Sequence, residues 1–292
     1  MTTPLITLED HLTRLTLAPH LGGSIVNWCL LSNGRALLRP SDEPALQAGS
    51  PRRLACYPLV PWSNRIGQGG FSSPDGWFDL PANSPTDPLP IHGSAWQQPW
   101  QVTEQSAEEV CLQLDSCQPF AYRAQQRFRL RDGCLHMHLQ VTHLDSRAAW
   151  HGLGWHPYFP RNAHTQLRAV AEQFWQCDQQ RLSSALTPLP ADWNFTGAQP
   201  LPVEQIDHAF SGWDGACDII QADAGYQLQC RSQGADYFIL FTPSEQPFFC
   251  FEPVSHPVNA HHLPGHPGLR LLRQGQTCEL SFSLHYQPLP PN

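Results

Sequence analysis

No lysine occurs among the 292 residues, and all 17 basic side chains are arginines. Chemistry that draws an amine from the chain, such as an internal Schiff base or the phosphate-binding lysine of a Walker loop, is therefore excluded. Acidic residues outnumber basic ones 25 to 17, a formal charge of −8, which disfavours a broad phosphate-backbone footprint; nucleic acid is not an expected partner. No apolar run approaches bilayer length, and the start of the chain lacks a basic segment followed by an unbroken apolar one. No membrane association and a cytoplasmic location are expected.

Other signatures are missing as well. Gly67-Gln68-Gly69-Gly70 lacks the spacing of a dinucleotide loop, and His92-Gly93-Ser94 continues into alanine and tryptophan rather than a serine-hydrolase elbow. The ten cysteines never fall in a CxxC pair, so free, mostly buried thiols are expected rather than a disulfide framework. His256, His261, His262 and His266 cluster among prolines, but without HExxH or a neighbouring cysteine pair they read as a polar loop rather than a metal site. Neither a metal nor a coenzyme is expected.

What is present is a β pattern. Leu135, Met137, Leu139 and Val141 alternate with polar residues, as do Cys278, Leu280, Phe282, Leu284 and Tyr286, the period of half-buried strands. Val110–Leu114, Gln126–Leu130, Tyr237–Phe241 and Phe248–Phe251 extend the pattern. The 29 prolines and 20 glycines interrupt nearly every window long enough for a helix. With 41% hydrophobic residues the chain can bury a sizeable core. Residues 1–292 are read as one all-β domain, a large antiparallel sandwich or barrel, with 81–90 and 186–202 as long surface loops.

A set of polar residues stands among aromatics: Asn64 and Arg65 after Pro61-Trp62, His92 before Gly93, and His156 within Gly154-Trp155-His156-Pro157-Tyr158-Phe159. Asp207 precedes His208, and Glu252 follows Phe251. Aromatic faces beside amide and charged groups suit a sugar ring. Local sequence alone also permits plainer roles. Glu252 could be an exposed strand-end carboxylate, His92 and His156 structural histidines, Arg65 half of a surface ion pair, and Asp207 a turn or cap residue.

The ordered segments Asn64-Arg65-Ile66, His92-Gly93, Trp155-His156-Pro157-Tyr158-Phe159, Asp207-His208-Ala209-Phe210 and Phe251-Glu252-Pro253-Val254 resemble the aldose 1-epimerase, or galactose mutarotase, family. The similarity runs from Pro19-His20-Leu21-Gly22-Gly23 to the Gly275–Phe282 region. The resemblance implies a galactose mutarotase-like β-supersandwich that needs no cofactor and interconverts the anomers of an aldose. Glu252 would be the general base, His156 the general acid, and His92 an assistant near the ring oxygen. Asn64, Arg65 and Asp207 would bind the small-molecule sugar.

The residue types fit that chemistry, because ring opening needs one group to take the anomeric hydroxyl proton and another to protonate the ring oxygen. At ordinary pKa values of about 4.3 and about 6.5, Glu252 is ionised and His156 partly protonated at neutral pH. Arg65 is the only arginine within the motifs, with Arg52 and Arg53 nearby, which favours a neutral sugar. A hexose-6-phosphate epimerase, a non-catalytic carbohydrate-binding protein and a glycosidase using Asp207 and Glu252 are the alternatives.

Overall fold

In the computed structural model, which describes residues 5–290, the chain is built almost wholly of antiparallel strands. One α-helix, Glu43–Gln47, and short 3-10 turns are the helical elements among the described residues, as the proline and glycine punctuation requires. None is long and apolar enough to cross a membrane.

Two large sheets dominate. A nine-stranded sheet is centred on Thr277–Pro288, Cys134–His143 and Tyr122–Arg131, and an eight-stranded sheet on Asp207–Ser211, Tyr237–Phe241 and Phe248–Val254. The alternation read from sequence sets the inner face of the first: Leu135, Met137, Leu139 and Val141 are buried, as are Leu280, Phe282 and Leu284 on the neighbouring strand. They join one core with Phe210, Phe238, Phe249 and Phe251 of the second sheet, and Phe128 meets Trp155 across the layers at 5.6 Å. This is the β-supersandwich expected.

The opposite face of the eight-stranded sheet carries Tyr57, Tyr158, Ala209, Ile239 and Cys250, a second buried cluster. Period-two alternation thus divides Phe248–Val254 between two jobs: Phe249 and Phe251 anchor the main core, while Cys250 and Glu252 face the second cluster. All ten cysteines are free, and Cys29, Cys56, Cys217, Cys230 and Cys250 are buried.

The 186–202 expectation needs correction. Ser183–Pro188 is an edge strand paired with Gln173–Cys177, and Gln199–Pro200 pairs with Thr165–Ala169. An edge strand tolerates prolines at its end, and its exposed residues hide the strand alternation from a sequence reading. The 81–90 segment is irregular, as expected, with a single Ser84–Asp87 bridge.

Phe238 is the tie between strands: it stacks on Phe210 at 4.7 Å and on Phe251 at 4.4 Å, and meets Trp213 edge-on at 5.7 Å. Phe238→Ala should cost about 3–5 kcal/mol, because a fully buried ring in a close-packed core leaves a cavity. Urea unfolding measures this; a loss below about 1 kcal/mol would show that the stack is not structural.

Candidate active site

The sheet register brings Glu252 and His156 together. Strands Gly154–Trp155 and Tyr158–Pro160 both pair with Phe248–Val254 in one continuous register, Gly154 opposite Val254 and Tyr158 opposite Cys250. His156 lies in the gap between them, directly across from Glu252. Pro157 has no N–H to donate, so the ladder is interrupted here, and the His156 N–H donates instead to Tyr57 O at 3.0 Å on the other side. The result is a contact of 3.3 Å between His156 Nε2 and Glu252 Oε1.

His156 packs against two adjoining tyrosines. Its ring stacks on Tyr57 and on Tyr158, with centroids 4.7 Å apart in each case and nearly parallel planes. Glu252 is 2% exposed, which rules out the strand-end reading that its local sequence allowed. Four apolar or cysteine residues precede it because the whole strand is covered on both faces.

Burial decides the charge state of the pair. Loss of solvent pushes the Glu252 carboxyl well above its ordinary value, reinforced by the Asp207 charge and opposed by Arg65. It depresses the His156 imidazole to about 3, helped by Arg39 and Arg52. Where ordinary values give an ionised Glu252 beside a partly protonated His156, burial favours the uncharged form of the pair, in which a proton on Glu252 can be donated to His156 Nε2. Sequence cannot supply this, since it does not show how deeply the two groups lie.

His92 and Asn64 form a second unit. Both have left-handed backbones, φ 63° and φ 57°, a conformation uncommon outside glycine and costly enough to need support. The support is reciprocal: the His92 N–H donates to Asn64 O at 3.0 Å, and the Asn64 N–H donates to His92 Nδ1 at 3.1 Å. Gly93 is left-handed too, and a Cβ there would collide with the Val60 carbonyl, so no other residue fits. With Nδ1 accepting and its pKa driven well below 6.5 by burial first and by the nearby Arg52 and Arg65 charges, His92 is neutral and carries its proton on Nε2. It can only donate from that nitrogen.

Arg65 is held by the loops rather than by the surface. Its Nε donates to Asp87 Oδ2 at 2.8 Å and its Nη1 to Asn64 Oδ1 at 3.2 Å, with both members of the ion pair buried. Asp207 opens the strand Asp207–Ser211 and is pushed above the ordinary carboxylate value by burial, against the pull of Arg65 and Arg181.

All six residues singled out from sequence, Asn64, Arg65, His92, His156, Asp207 and Glu252, line one cavity of about 250 Å³. That is below the roughly 300–1,000 Å³ of drug-sized sites and suits a single small ring. Tyr57, Tyr158, Asp87, Thr86, Arg52 and Arg181 line it too and were missed. Tyr158 lay inside a quoted motif, and the turn-rich 81–90 loop flagged a carrier of function. Arg52 stands near the motifs in sequence but outside them, and Arg181 has no local signal, so the sequence alone does not assign either to the cavity. Larger hollows of about 460 and 440 Å³ on the nine-stranded sheet are lined by Gln125, Arg127 and His138 or by Arg129, His136 and Ser281, and hold no buried acid–base pair.

Three of the four C-terminal histidines have other partners among the described residues. His256 Nε2 accepts from the Ser63 N–H at 3.0 Å, His262 bonds Gly70 O at 2.8 Å, and His266 stacks on Trp150. Among the described residues, ligand atoms come within 4.8 Å of one another at His156, Cys250 and Glu252, and at Glu104, Glu109 and Cys111. A cation at the first set would occupy the atoms that carry the proton.

The fold and this cavity define a class: a β-supersandwich with a buried carboxyl–imidazole pair at the floor of a polar cleft. Residues 4–285 match the family described as aldose 1-epimerase, and the chain belongs to that family. An uncharacterised Escherichia coli K12 protein, YphB, is 30% identical over 258 residues, covering 85% of this chain and 89% of its own. A crystal structure from Escherichia coli K12, provisionally named an aldose 1-epimerase, superposes with TM-score 0.92 at 29% identity over 98% of this chain and 99% of that one. The galactose 1-epimerase structure from Lactobacillus acidophilus NCFM, at 15% identity and TM-score 0.80 over 98% and 95%, shares the fold.

The charge state has a stability consequence. A carboxyl whose pKa is raised by folding stabilises the protein fully below its unfolded value, about 4.5, and that stability is lost as pH rises through the folded value. Glu252→Gln removes this pH-dependent loss. The Tm of the variant minus that of the parent should therefore increase from pH 4.5 upward; a difference that is flat or shrinks would mean that Glu252 ionises as freely in the folded protein as in the unfolded chain.

Proposed function

We propose that this protein is an isomerase that interconverts the α and β anomers of an aldose by general acid–base ring opening in the cavity described. The observation that carries the proposal is the 3.3 Å contact between two buried groups, His156 Nε2 and Glu252 Oε1. Ring opening takes one proton from the anomeric hydroxyl and gives one to the ring oxygen, so a pair holding a single proton has the right stoichiometry. A carbohydrate-binding module has no need of such a pair, whose burial opposes charge on both members.

Transfer of the proton from Glu252 to His156 Nε2 across their 3.3 Å contact arms the pair; Glu252, as carboxylate, then takes the proton from O1 while His156, as imidazolium, gives its proton to O5. The aldehyde forms at C1, rotation about C1–C2 exposes its other face, and the two groups reverse roles as the ring closes. Opening leaves Glu252 protonated and His156 neutral, the forms that burial favours, so the dry floor of the site stabilises the open-chain complex relative to the charged one. The Nε2–H of His92 donates toward the ring oxygen region. Arg65, fixed by Asp87 and Asn64, and Asp207 bind hydroxyl groups. Protein side chains supply every proton transfer, and neither nucleic acid nor a membrane has a part in the reaction.

Each member of the pair should be worth about 10²–10⁴ in kcat. Anomeric exchange followed by NMR with Glu252→Gln and with His156→Asn should show losses of that order, mainly in kcat, and the double variant should be little worse than either single one because the two act as a unit. Arg65→Ala should raise KM as well. Near-normal exchange by folded Glu252→Gln protein would remove the carboxylate from its assigned role as base.

A further inference from the structure

Cys250 stands two residues before Glu252 on the strand Phe248–Val254, and the alternation that puts Phe249 and Phe251 in the main core turns both toward the other face. The proton-transfer scheme makes no use of its thiol. Yet Cys250 Sγ, a carboxylate oxygen of Glu252 and a ring nitrogen of His156 all lie within 4.8 Å of one another. All three residues are buried, and Glu252 Oε2 has no hydrogen-bond partner among the described residues. A buried acceptor left unpaired is costly, and a cation satisfies it.

Imidazole, thiolate and carboxylate are the donors that zinc takes in four-coordinate sites. Nitrogen and oxygen ligands at about 2.0–2.1 Å from a tetrahedral zinc stand about 3.3 Å apart, and His156 Nε2 and Glu252 Oε1 are 3.3 Å apart. A sulfur ligand at about 2.3 Å from the ion stands about 3.6 Å from each of the other two. For a side chain already within 4.8 Å of both, that is a short closing movement. The donors stand on paired strands in fixed register, Tyr158 opposite Cys250 and Gly154 opposite Val254, so the site is built on the rigid part of the fold.

Charge favours the same ion. A thiolate and a carboxylate are each costly at a dry floor, but a divalent cation cancels both, and with a neutral imidazole the assembly has no net charge. The cleft above is open to cations, since three carboxyl side chains, Asp87, Asp207 and Glu252, line it against three arginines, of which Arg65 is paired with Asp87. Magnesium and calcium, which take six or more oxygens, are poorly served by one carboxylate beside nitrogen and sulfur. We propose that His156, Cys250 and Glu252 form an inhibitory site for a thiophilic divalent cation of the zinc class, with its fourth position open to the sugar cavity. The ion there occupies the carboxylate and imidazole atoms that exchange protons with the substrate, and ring opening stops. That effect on catalysis rests on the function proposed above, whereas the binding does not.

The test titrates the chelator-treated chain with Co²⁺, whose thiolate-to-metal charge-transfer absorption reports a sulfur ligand, and then with Zn²⁺. Co²⁺ should produce that absorption and Zn²⁺ should displace it. Zn²⁺ should also slow catalysed anomeric exchange of an aldose about tenfold or more, a chelator should restore it, and Mg²⁺ or Ca²⁺ at the same concentration should leave it unchanged. Cys250→Ala, which keeps both proton-transfer groups, should retain the basal exchange, lose the absorption, and need about tenfold or more Zn²⁺ for equal inhibition. If that variant does not fold, the nearly isosteric Cys250→Ser is read in the same way. Cys111→Ser, in the exposed cluster with Glu104 and Glu109, should change neither reading. Absorption that is absent from the parent or kept without Cys250, Zn²⁺ inhibition unmoved by the Cys250 variant, or equal inhibition by Mg²⁺ would overturn this inference and leave the epimerase reading intact. Cys250-dependent absorption in a protein that catalyses exchange of no aldose would overturn the epimerase reading, and the inhibition with it, while the cation site stands.

Discussion

Removal of water from the Glu252–His156 contact is the constraint around which the rest of the structure is arranged. An ionised carboxylate and an imidazolium are both costly in a dry environment, and at this floor neither meets bulk solvent. The strand register sets the two residues opposite one another, and the rings of Tyr57 and Tyr158 pack against the imidazole. Burial pushes the two groups in opposite directions, the carboxyl up and the imidazole down, so that the uncharged pair, with its proton on Glu252, is the favoured form. In the proposed mechanism that proton, relayed through the sugar, is the whole of the chemistry.

A dry floor needs a rigid frame and a polar wall, and these come from different parts of the fold. The frame is the eight-stranded sheet, whose inner face of stacked phenylalanines is packed against the nine-stranded sheet while Glu252 faces the other way. The wall is loop-built. His92 and Asn64 hold left-handed backbones by exchanging hydrogen bonds, Gly93 lets that loop touch the Val60 carbonyl, and Asp87 reaches from the 81–90 segment to fix Arg65. Asn259 braces the same region from outside, accepting from the Gly67 N–H at 2.9 Å and donating its own N–H to Arg65 O at 3.0 Å. His256 does likewise by accepting from the Ser63 N–H, a structural use for one member of the C-terminal histidine cluster.

The strands were legible because a half-buried strand must alternate, and Cys134–His143 and Thr277–Pro288 alternate over their cores. The six site residues were legible only as short motifs in a family order, since nothing in the sequence near Glu252 reveals that a histidine about a hundred residues earlier lies opposite it. Three features were out of reach. The charge state of Glu252 depends on burial from both faces. Arg52 and Arg181 enter the cavity from a 3-10 turn and a hairpin that carry no pattern. Ser183–Pro188 is too exposed to show strand alternation.

The pH dependence of catalysed anomeric exchange tests the shared proton most directly, because each limb of kcat/KM reports a departure from one proton on the pair in the free enzyme. Addition of a second proton disables the base, and this should occur only as pH falls toward about 3, where burial has driven His156. Loss of the one proton disables the acid, and that limb should lie well above the ordinary carboxylate range, where burial has driven Glu252. The account predicts a broad plateau that spans the ordinary histidine value of 6.5 without a break. An acid limb centred near 6.5, abolished in His156→Asn protein with residual activity, would contradict it, showing a solvent-titrating histidine and no shared proton.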